Sequence, residues 1–338
     1  MVPRYLRDAE DEVRVRPNRR GSRPRTKQRP EHEDARPGTV LTVDRGRYDV
    51  LVDEGPRVRA MKARELGRAA LVVGDRVDLV GDLSGAPDTL ARVVRRHERT
   101  TTLRRTADDS EDAVERVLVA NADLLVIVTA LADPEPRPRM VDRCLVAAYD
   151  AGMDALLCLT KADLADPADF LAQYAALSVP AVPTAVRPDR IDGIDELRQA
   201  LRGRTSVLVG HSGVGKSTLV NALVPDAARE TGHVNEVTGR GRHTSSSAVA
   251  LALPEGGWVI DTPGVRSFGL AHVGADDLVR AFPDLDEVAQ DCPRGCTHAA
   301  DAPDCALDEW VASGAAGAAG EARLASFRRL LASREGTS

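Results

Sequence analysis

Residues 205–219, Thr-Ser-Val-Leu-Val-Gly-His-Ser-Gly-Val-Gly-Lys-Ser-Thr-Leu, constrain this chain more than any other stretch. An apolar run from Ser206 to Val209 leads straight into Gly210, His211, Ser212, Gly213, Val214, Gly215, Lys216 and Ser217, and from Thr218 onward apolar residues return at helical spacing. The pattern predicts strand, tight loop and helix in direct succession. Glycines at 210, 213 and 215 let the backbone fold so that its N–H groups and the helix N-terminus surround phosphate oxygens. In such a loop Lys216 reaches the β- and γ-phosphates and Ser217 is a ligand for Mg²⁺.

A chain of 338 residues is long enough for two or three domains at roughly 150 residues each. Its net charge of −6 argues against a simple nucleic-acid binder, yet residues 13–30 hold eight Arg/Lys and no acid. Residues 1–36, rich in Arg and Pro with almost no apolar spacing, are expected to form a disordered basic tail, either solvated or touching phosphates in a salt-dependent way. The five cysteines do not form the even, dispersed set of a secreted scaffold, and Cys144 and Cys158 sit in apolar runs that predict buried thiols. No run approaches ~18 apolar residues and the N-terminus is charged, so the expectation is a cytoplasmic protein with no membrane partner.

From residue 37 to 100 the pattern is one of short alternating runs punctuated by Asp44–Arg47 and Asp53–Pro56. Five or so strands in so short a segment predict a small OB-fold-like β-barrel, a shape that often binds RNA. The segment holds one aromatic, Tyr48, so base stacking is not assumed and a purely structural barrel stays open. Residues 101–274 then read as alternating α/β after a polar connector from Arg99 to Asp112. Buried strands are expected at Asp123–Thr129 and Ala155–Leu159, and helices at Arg139–Ala151, Pro167–Leu177 and Gly193–Leu201.

The second of those strands ends in Thr160, Lys161, Ala162 and Asp163, which resembles the Asn-Lys-x-Asp guanine motif of GTPases. A carboxylate at Asp163 can accept from both the N1–H and the exocyclic amine of guanine, which adenine does not offer in that geometry. Lys161 would lie along the base. Thr160 puts a hydroxyl where an amide is usual, which leaves open how tightly this loop is tied to the phosphate loop. Thr184 and Ala185 stand where a loop supporting the guanine is expected. Beyond the phosphate loop, Asp261, Thr262, Pro263 and Gly264 match the Asp-x-x-Gly switch motif, whose Asp holds Mg²⁺ through water and whose Gly senses the γ-phosphate.

The guanine motif here precedes the phosphate loop, the reverse of most small GTPases. A parallel sheet depends on which strands are neighbours, so a circularly permuted chain can build the same site. The switch segment then runs directly into residues 275–338, where nucleotide state should be read out. That region carries Cys292, Cys296, His298 and Cys305 within fourteen residues, a Cys₃His set suited to one structural Zn²⁺ per chain, and predicts a zinc-binding helical domain with helices at Leu307–Val311 and Leu324–Leu331.

Barrel, permuted motifs and Cys₃His cluster, in that order over residues ~38–331, together resemble the circularly permuted GTPases of the ribosome small-subunit-dependent GTPase A (RsgA) family. The resemblance implies GTP and GDP as ligands, the small ribosomal subunit and its rRNA as partners, and subunit-stimulated GTP hydrolysis in late subunit maturation; nothing demands more than a monomer. Val265 follows Gly264 where Ras-like enzymes place a water-orienting Gln, and an aliphatic group cannot orient water. The resemblance instead points to the segment ending Arg242, His243, Thr244, with His243 positioning water, alongside Lys216 as the catalytic cation, and Thr244 completing the Mg²⁺ shell with Ser217 and Asp261. An ordinary loop histidine is the alternative for His243. A competing reading of the whole chain makes it an RNA-binding scaffold propped open by nucleotide; Lys216, Ser217, Thr244 and Asp261 are a set such a scaffold does not need.

Overall fold

The computed structural model describes residues 32–67, 70–106, 115–225, 248–262, 268, 270 and 273–334. The chain divides into two compact units between Arg99 and Thr100. In the first, five strands, β1 (Arg36–Asp44), β2 (Arg47–Val52), β3 (Arg57–Lys62), β4 (Arg76–Gly81) and β5 (Ala91–Arg96), are hydrogen-bonded in the order β1-β2-β3-β5-β4. β4 pairs back onto β1, through Arg36↔Leu79 to Thr39↔Arg76, and closes an OB-like barrel. A bulge between Val40 and Thr42 lets β1 bend far enough to serve both neighbours. Gly38 lies where a Cβ would meet the Leu51 carbonyl oxygen at 2.7 Å, so only glycine permits this close strand approach.

Val40, Val50, Val58, Val77, Leu79 and Val93 fill the barrel, and Tyr48 is buried among them rather than presented to solvent. The Asp75 side chain is fully buried, and it is satisfied by the Val72 N–H at 2.7 Å and by Arg99, whose Nε and Nη2 donate at 2.7 and 3.0 Å.

The second unit opens with a hairpin, β6 (Thr102–Thr106) and β7 (Glu115–Ala120), so the stretch expected to be a polar connector holds a strand. Its central sheet comprises β8 (Leu124–Ala130), β9 (Asp154–Thr160), β10 (Ala181–Pro183), β13 (Thr205–Val209), β14 (Val249–Ala252) and β15 (Trp258–Asp261), with β11 (Ala185–Val186) and β12 (Ile191–Asp192) forming a separate ribbon. The order is β10-β9-β8-β13-β15-β14, all parallel except β14.

Alternation along β8 decides what covers the sheet. Leu124, Val126, Val128 and Ala130 face α3 (Ile194–Leu201) and α4 (Lys216–Leu223) through Ile194, Leu197, Leu201, Leu219 and Leu223. The intervening residues of β8 face the other side, where α1 (Pro138–Asp150) packs. Pro138 opens α1 at a position where its missing N–H costs nothing. Val141, Cys144, Leu145 and Ala148 then form its buried stripe.

The helix expected over Pro167–Leu177 is broken: α2 covers Ala168–Ala172, and a separate 3₁₀ turn spans Ala175–Leu177. Tyr174, between them, is 2% exposed, and burying it turns the backbone out of the helix. Toward the C-terminus come α5 (Ala275–Val279), α6 (Pro283–Ala289), α7 (Ala306–Ala312) and α8 (Gly317–Arg334). Helix α8 is longer than its apolar spacing predicts and packs against α1. Among the described residues no helix is long and apolar enough to cross a membrane.

Candidate functional site

Strands β9, β8, β13 and β15 are adjacent and parallel, so the residues that follow them converge on one edge of the sheet. Thr160 to Asp163, Leu131 to Asp133, Gly210 to Ser217 and Asp261 are therefore neighbours, although they span more than a hundred residues of sequence.

The phosphate loop is shaped by its glycines at two points. At Gly210 a Cβ would sit 2.6 Å from the Val128 carbonyl oxygen on β8, and Gly215 takes φ +91°, a conformation that disfavours side chains. Val214 is buried beneath the loop, whereas Ser212, Ser217 and Thr218 are exposed. Helix α4 starts at Lys216, so the unpaired N–H groups of its first turn lie at the loop and face an anion readily. Lys216 Nζ donates to Asp261 Oδ1 at 2.7 Å and to the Thr262 carbonyl at 3.2 Å. Thr262 is itself buried, and its hydroxyl donates to the Leu208 carbonyl at 2.8 Å, which ties the end of β15 to the strand of the phosphate loop.

At the end of β9, the Thr160 hydroxyl donates to the Val214 carbonyl at 2.6 Å. The tie between the guanine-type loop and the phosphate loop, left open by the sequence, is thus made directly. Lys161 adopts φ +57° and donates to the Asp133 carbonyl, while Asp163 stays exposed. Residues 160–163 are clasped to the next loop by Ala162 N–H to the Thr184 carbonyl at 3.1 Å and Thr184 N–H to the Leu159 carbonyl at 2.7 Å. Thr184 and Ala185 are buried at that junction. Gly193 closes it: at φ +78°, a Cβ would fall 2.1 Å from the Pro183 carbonyl oxygen.

His211 is the odd member of the loop. Both ring nitrogens are buried with no hydrogen-bond partner among the described residues, and burial, then the charge of Arg137, pushes the imidazole below its usual range. Of the remaining sequence-expected residues, His243, Thr244 and Gly264 lie outside the described residues.

A second cluster lies in the C-terminal part of this unit. The ligating atoms of Cys292, Cys296, His298 and Cys305 all lie within 4.8 Å of one another. Cys292 Sγ is 3.6 Å from His298 Nδ1 and 3.9 Å from Cys305 Sγ, and Cys305 Sγ is 3.9 Å from His298 Nδ1. Tetrahedral Zn²⁺, with bonds of about 2.3 Å to sulfur and 2.0–2.1 Å to nitrogen, requires ligand separations of roughly 3.5–3.8 Å, so the cluster is compatible with zinc. Nε2 of His298 faces Asp276 Oδ1 at 3.3 Å, the outer carboxylate that commonly orients a metal-binding imidazole. Cys144 and Cys158, by contrast, are buried, with thiols pushed up to about 12 by burial.

Sequence reasoning overlooked several contributors: the Asp133 carbonyl, Thr262, Asp276, and Arg328, whose Nε donates to the His298 carbonyl at 3.1 Å. Two act through backbone oxygens, which carry no sequence signal. Asp276 stands 16 positions ahead of Cys292, too far for a spacing rule to link them.

Residues 96–271 match the profile of a family described as RsgA GTPase. The chain is 36% identical over 286 residues to a small ribosomal subunit biogenesis GTPase RsgA of Gemmatimonas aurantiaca, covering 82% of this chain and 91% of the relative. It is 40% identical over 271 residues to a protein of the same name from Pseudomonas syringae pv. tomato, covering 78% and 75%. The crystal structure of YjeQ from Thermotoga maritima superposes with a TM-score of 0.63 at 26% identity, over 90% of this chain and 100% of that one. The fold is also that of YloQ, a circularly permuted GTPase, with a TM-score of 0.61 at 22% identity over 92% and 100% of the two chains.

Proposed function

The chain belongs to the RsgA GTPase family, and from that premise we propose that its hydrolysis of GTP to GDP and phosphate serves late maturation of the small ribosomal subunit, which stimulates turnover. The observation that carries the reading is the convergence of the Lys216–Asp261 pair and the Thr160–Val214 tie on one sheet edge. One end offers a cation and helix N–H groups to phosphates, and the other offers Asp163 to the guanine N1–H and amine.

Ser217 and Asp261, a hydroxyl and a carboxylate, are oxygen donors suited to Mg²⁺, and Thr244 would complete the set. The metal would supply positive charge against the β- and γ-phosphate oxygens. Lys216 holds the same oxygens from the loop side. With Val265 unable to orient water, His243 takes that role and intrinsic turnover is slow. Cys292, Cys296, His298 and Cys305 hold one Zn²⁺ structurally, since four protein ligands leave no open position.

Contact with rRNA runs through basic side chains, such as the exposed Arg59, Arg92 and Arg95 of the barrel, because Tyr48 is buried and cannot stack on bases. The reading takes the protein as a monomer in the cytoplasm. Its test is GTP turnover by the purified protein alone and with isolated small subunits across a salt series. Stimulation by small subunits that weakens with salt supports it; absent stimulation with GTP and RNA binding intact favours a scaffold.

A further inference from the structure

Helix α8 is fastened to its surroundings through Arg323, Phe327 and Arg328. Arg323 donates to Asp284 at 2.8 Å and to the Ala176 carbonyl at 3.2 Å. Phe327 is fully buried, edge-on to Phe282 at 5.7 Å and to the His298 ring at 6.4 Å. Arg328 grips Asp308 with both terminal nitrogens, at 2.7 and 2.8 Å, and donates to the carbonyl of His298. The zinc-type cluster is therefore rigidly joined to the middle of the helix.

The far end of α8 is joined to the GTPase sheet by two consecutive residues of α1. Asp142 meets Arg329 at 3.2 Å, and Arg143 donates from Nη1 to the Ser333 carbonyl at 2.8 Å. Positions 329 and 333 share one helix face, and Ser333 is in the last turn, whose carbonyls lack helical partners. Arg143 thus caps the helix with a charge of the favourable sign. The same guanidinium donates from Nη2 to the Phe268 carbonyl at 3.0 Å. Phe268 lies seven residues after Asp261, on the way out of the nucleotide-sensing segment, and its side chain is buried.

One planar fork therefore holds two carbonyls that belong to different functional parts. We infer that Arg143 is a positioning residue which couples the nucleotide state of the switch segment to helix α8, and through Phe327 and Arg328 to the zinc-type cluster. This rests on the proposed function for its partner, the small subunit, but the coupling itself exists without that partner. A displacement of Phe268 breaks or strains the Nη2 bond and changes how the end of α8 is held; by reciprocity, a load on α8 biases the switch segment. Lysine cannot replace the fork, because a single ammonium on a flexible stem does not hold two carbonyls in one plane.

The test compares the full-length parent with Arg143→Lys and Arg143→Ala. Hydrogen exchange of residues 317–334 is measured with GDP and with a non-hydrolysable GTP analogue, and nucleotide affinity is measured alongside. In the parent, exchange near Ser333 should differ between the two nucleotides; in Arg143→Lys the difference should vanish while both affinities stay within about twofold. With small subunits, the stimulated kcat should fall about tenfold with unchanged half-saturation, a loss of the size typical of a broken coupling. Nucleotide-independent exchange in the parent, or a persistent difference in a folded Arg143→Lys protein, overturns the inference. A parent that shows the exchange difference but no subunit stimulation overturns the proposed partner and leaves the coupling standing.

Discussion

The hydroxyl of Thr160 donates to the carbonyl of Val214 at 2.6 Å, across 54 residues of sequence. It joins the loop that would read the base to the loop that would hold the phosphates, and both partners are buried. Thr160→Val keeps the shape but leaves a buried carbonyl unpaired, a loss of about 1–3 kcal/mol. GTP and GDP affinity should fall together by roughly tenfold, and Thr160→Ser should restore most of it. Fluorescent-nucleotide titration of the three proteins checks this, and an unaltered Thr160→Val affinity would show that the tie is not needed for binding.

Asp163 is the exposed carboxylate at the base end. Asp163→Asn keeps one acceptor oxygen for the N1–H but sets an NH₂ against the exocyclic amine, losing a charged hydrogen bond worth about 1.5–3 kcal/mol, so GTP affinity should drop by roughly tenfold to a hundredfold. Xanthosine triphosphate, with its carbonyl in place of the amine, should bind the variant better than GTP does. Equal losses for both nucleotides would remove Asp163 from base recognition.

The five cysteines should separate into two classes under a thiol reagent at pH 8. Cys144 and Cys158, with pKa values of about 12, stay protonated and enclosed until the protein unfolds. Cys292, Cys296 and Cys305 should be protected in metal-loaded protein and react once a strong chelator is added, with release of about one zinc per chain. Reaction of all three without any released metal would argue against zinc.

Asp75 and Arg99 anchor the end of the barrel, their side chains 0% and 6% exposed. Arg99→Met leaves the carboxylate buried and uncompensated, so the barrel should lose about 3–5 kcal/mol of stability in a denaturant titration. The Asp75→Asn, Arg99→Met pair should recover part of that loss.

The Asp308–Arg328 pair supplies a pH test. Hydrogen bonds from Arg328, opposed by burial and helped by the guanidinium charge, hold the Asp308 carboxyl below its usual range. A depressed pKa means that the pair stabilises the fold above the unfolded carboxylate value, near pH 3.9, and that this contribution is lost as pH falls through the lower folded value. Asp308 is about half exposed, with a side-chain value of 48%, so screening limits the effect to under ~1 kcal/mol. Asp308→Asn should lower Tm slightly at pH 7, and the difference from the parent should shrink in acid.

Several elements are legible from local pattern because the signal and the cause sit in the same few residues. The alternation in residues 37–100 matches β1 to β5, Pro138 and the apolar stripe behind it start α1, and Gly210 to Ser217 read as loop and helix start. Local reading fails where a distant contact overrides it. Tyr174, buried against the protein interior, breaks the helix expected through it, and β6 forms because β7 pairs with it rather than because its own residues favour a strand.

The sequence by itself determined which groups are present: a Gly-rich loop ending in Lys216 and Ser217, the Asp163 carboxylate, an Asp-x-x-Gly motif and a Cys₃His set, in a permuted order that resembles the family. Tertiary structure alone decided which of these touch. Thr160 finds Val214, Lys216 finds Asp261 and Arg143 joins Phe268 to Ser333 only because parallel strands bring their C-terminal ends together and α8 lies along α1. In two of those three contacts the acceptor is a backbone carbonyl, which every residue carries alike. No sequence pattern can single one out before the chain has folded around it.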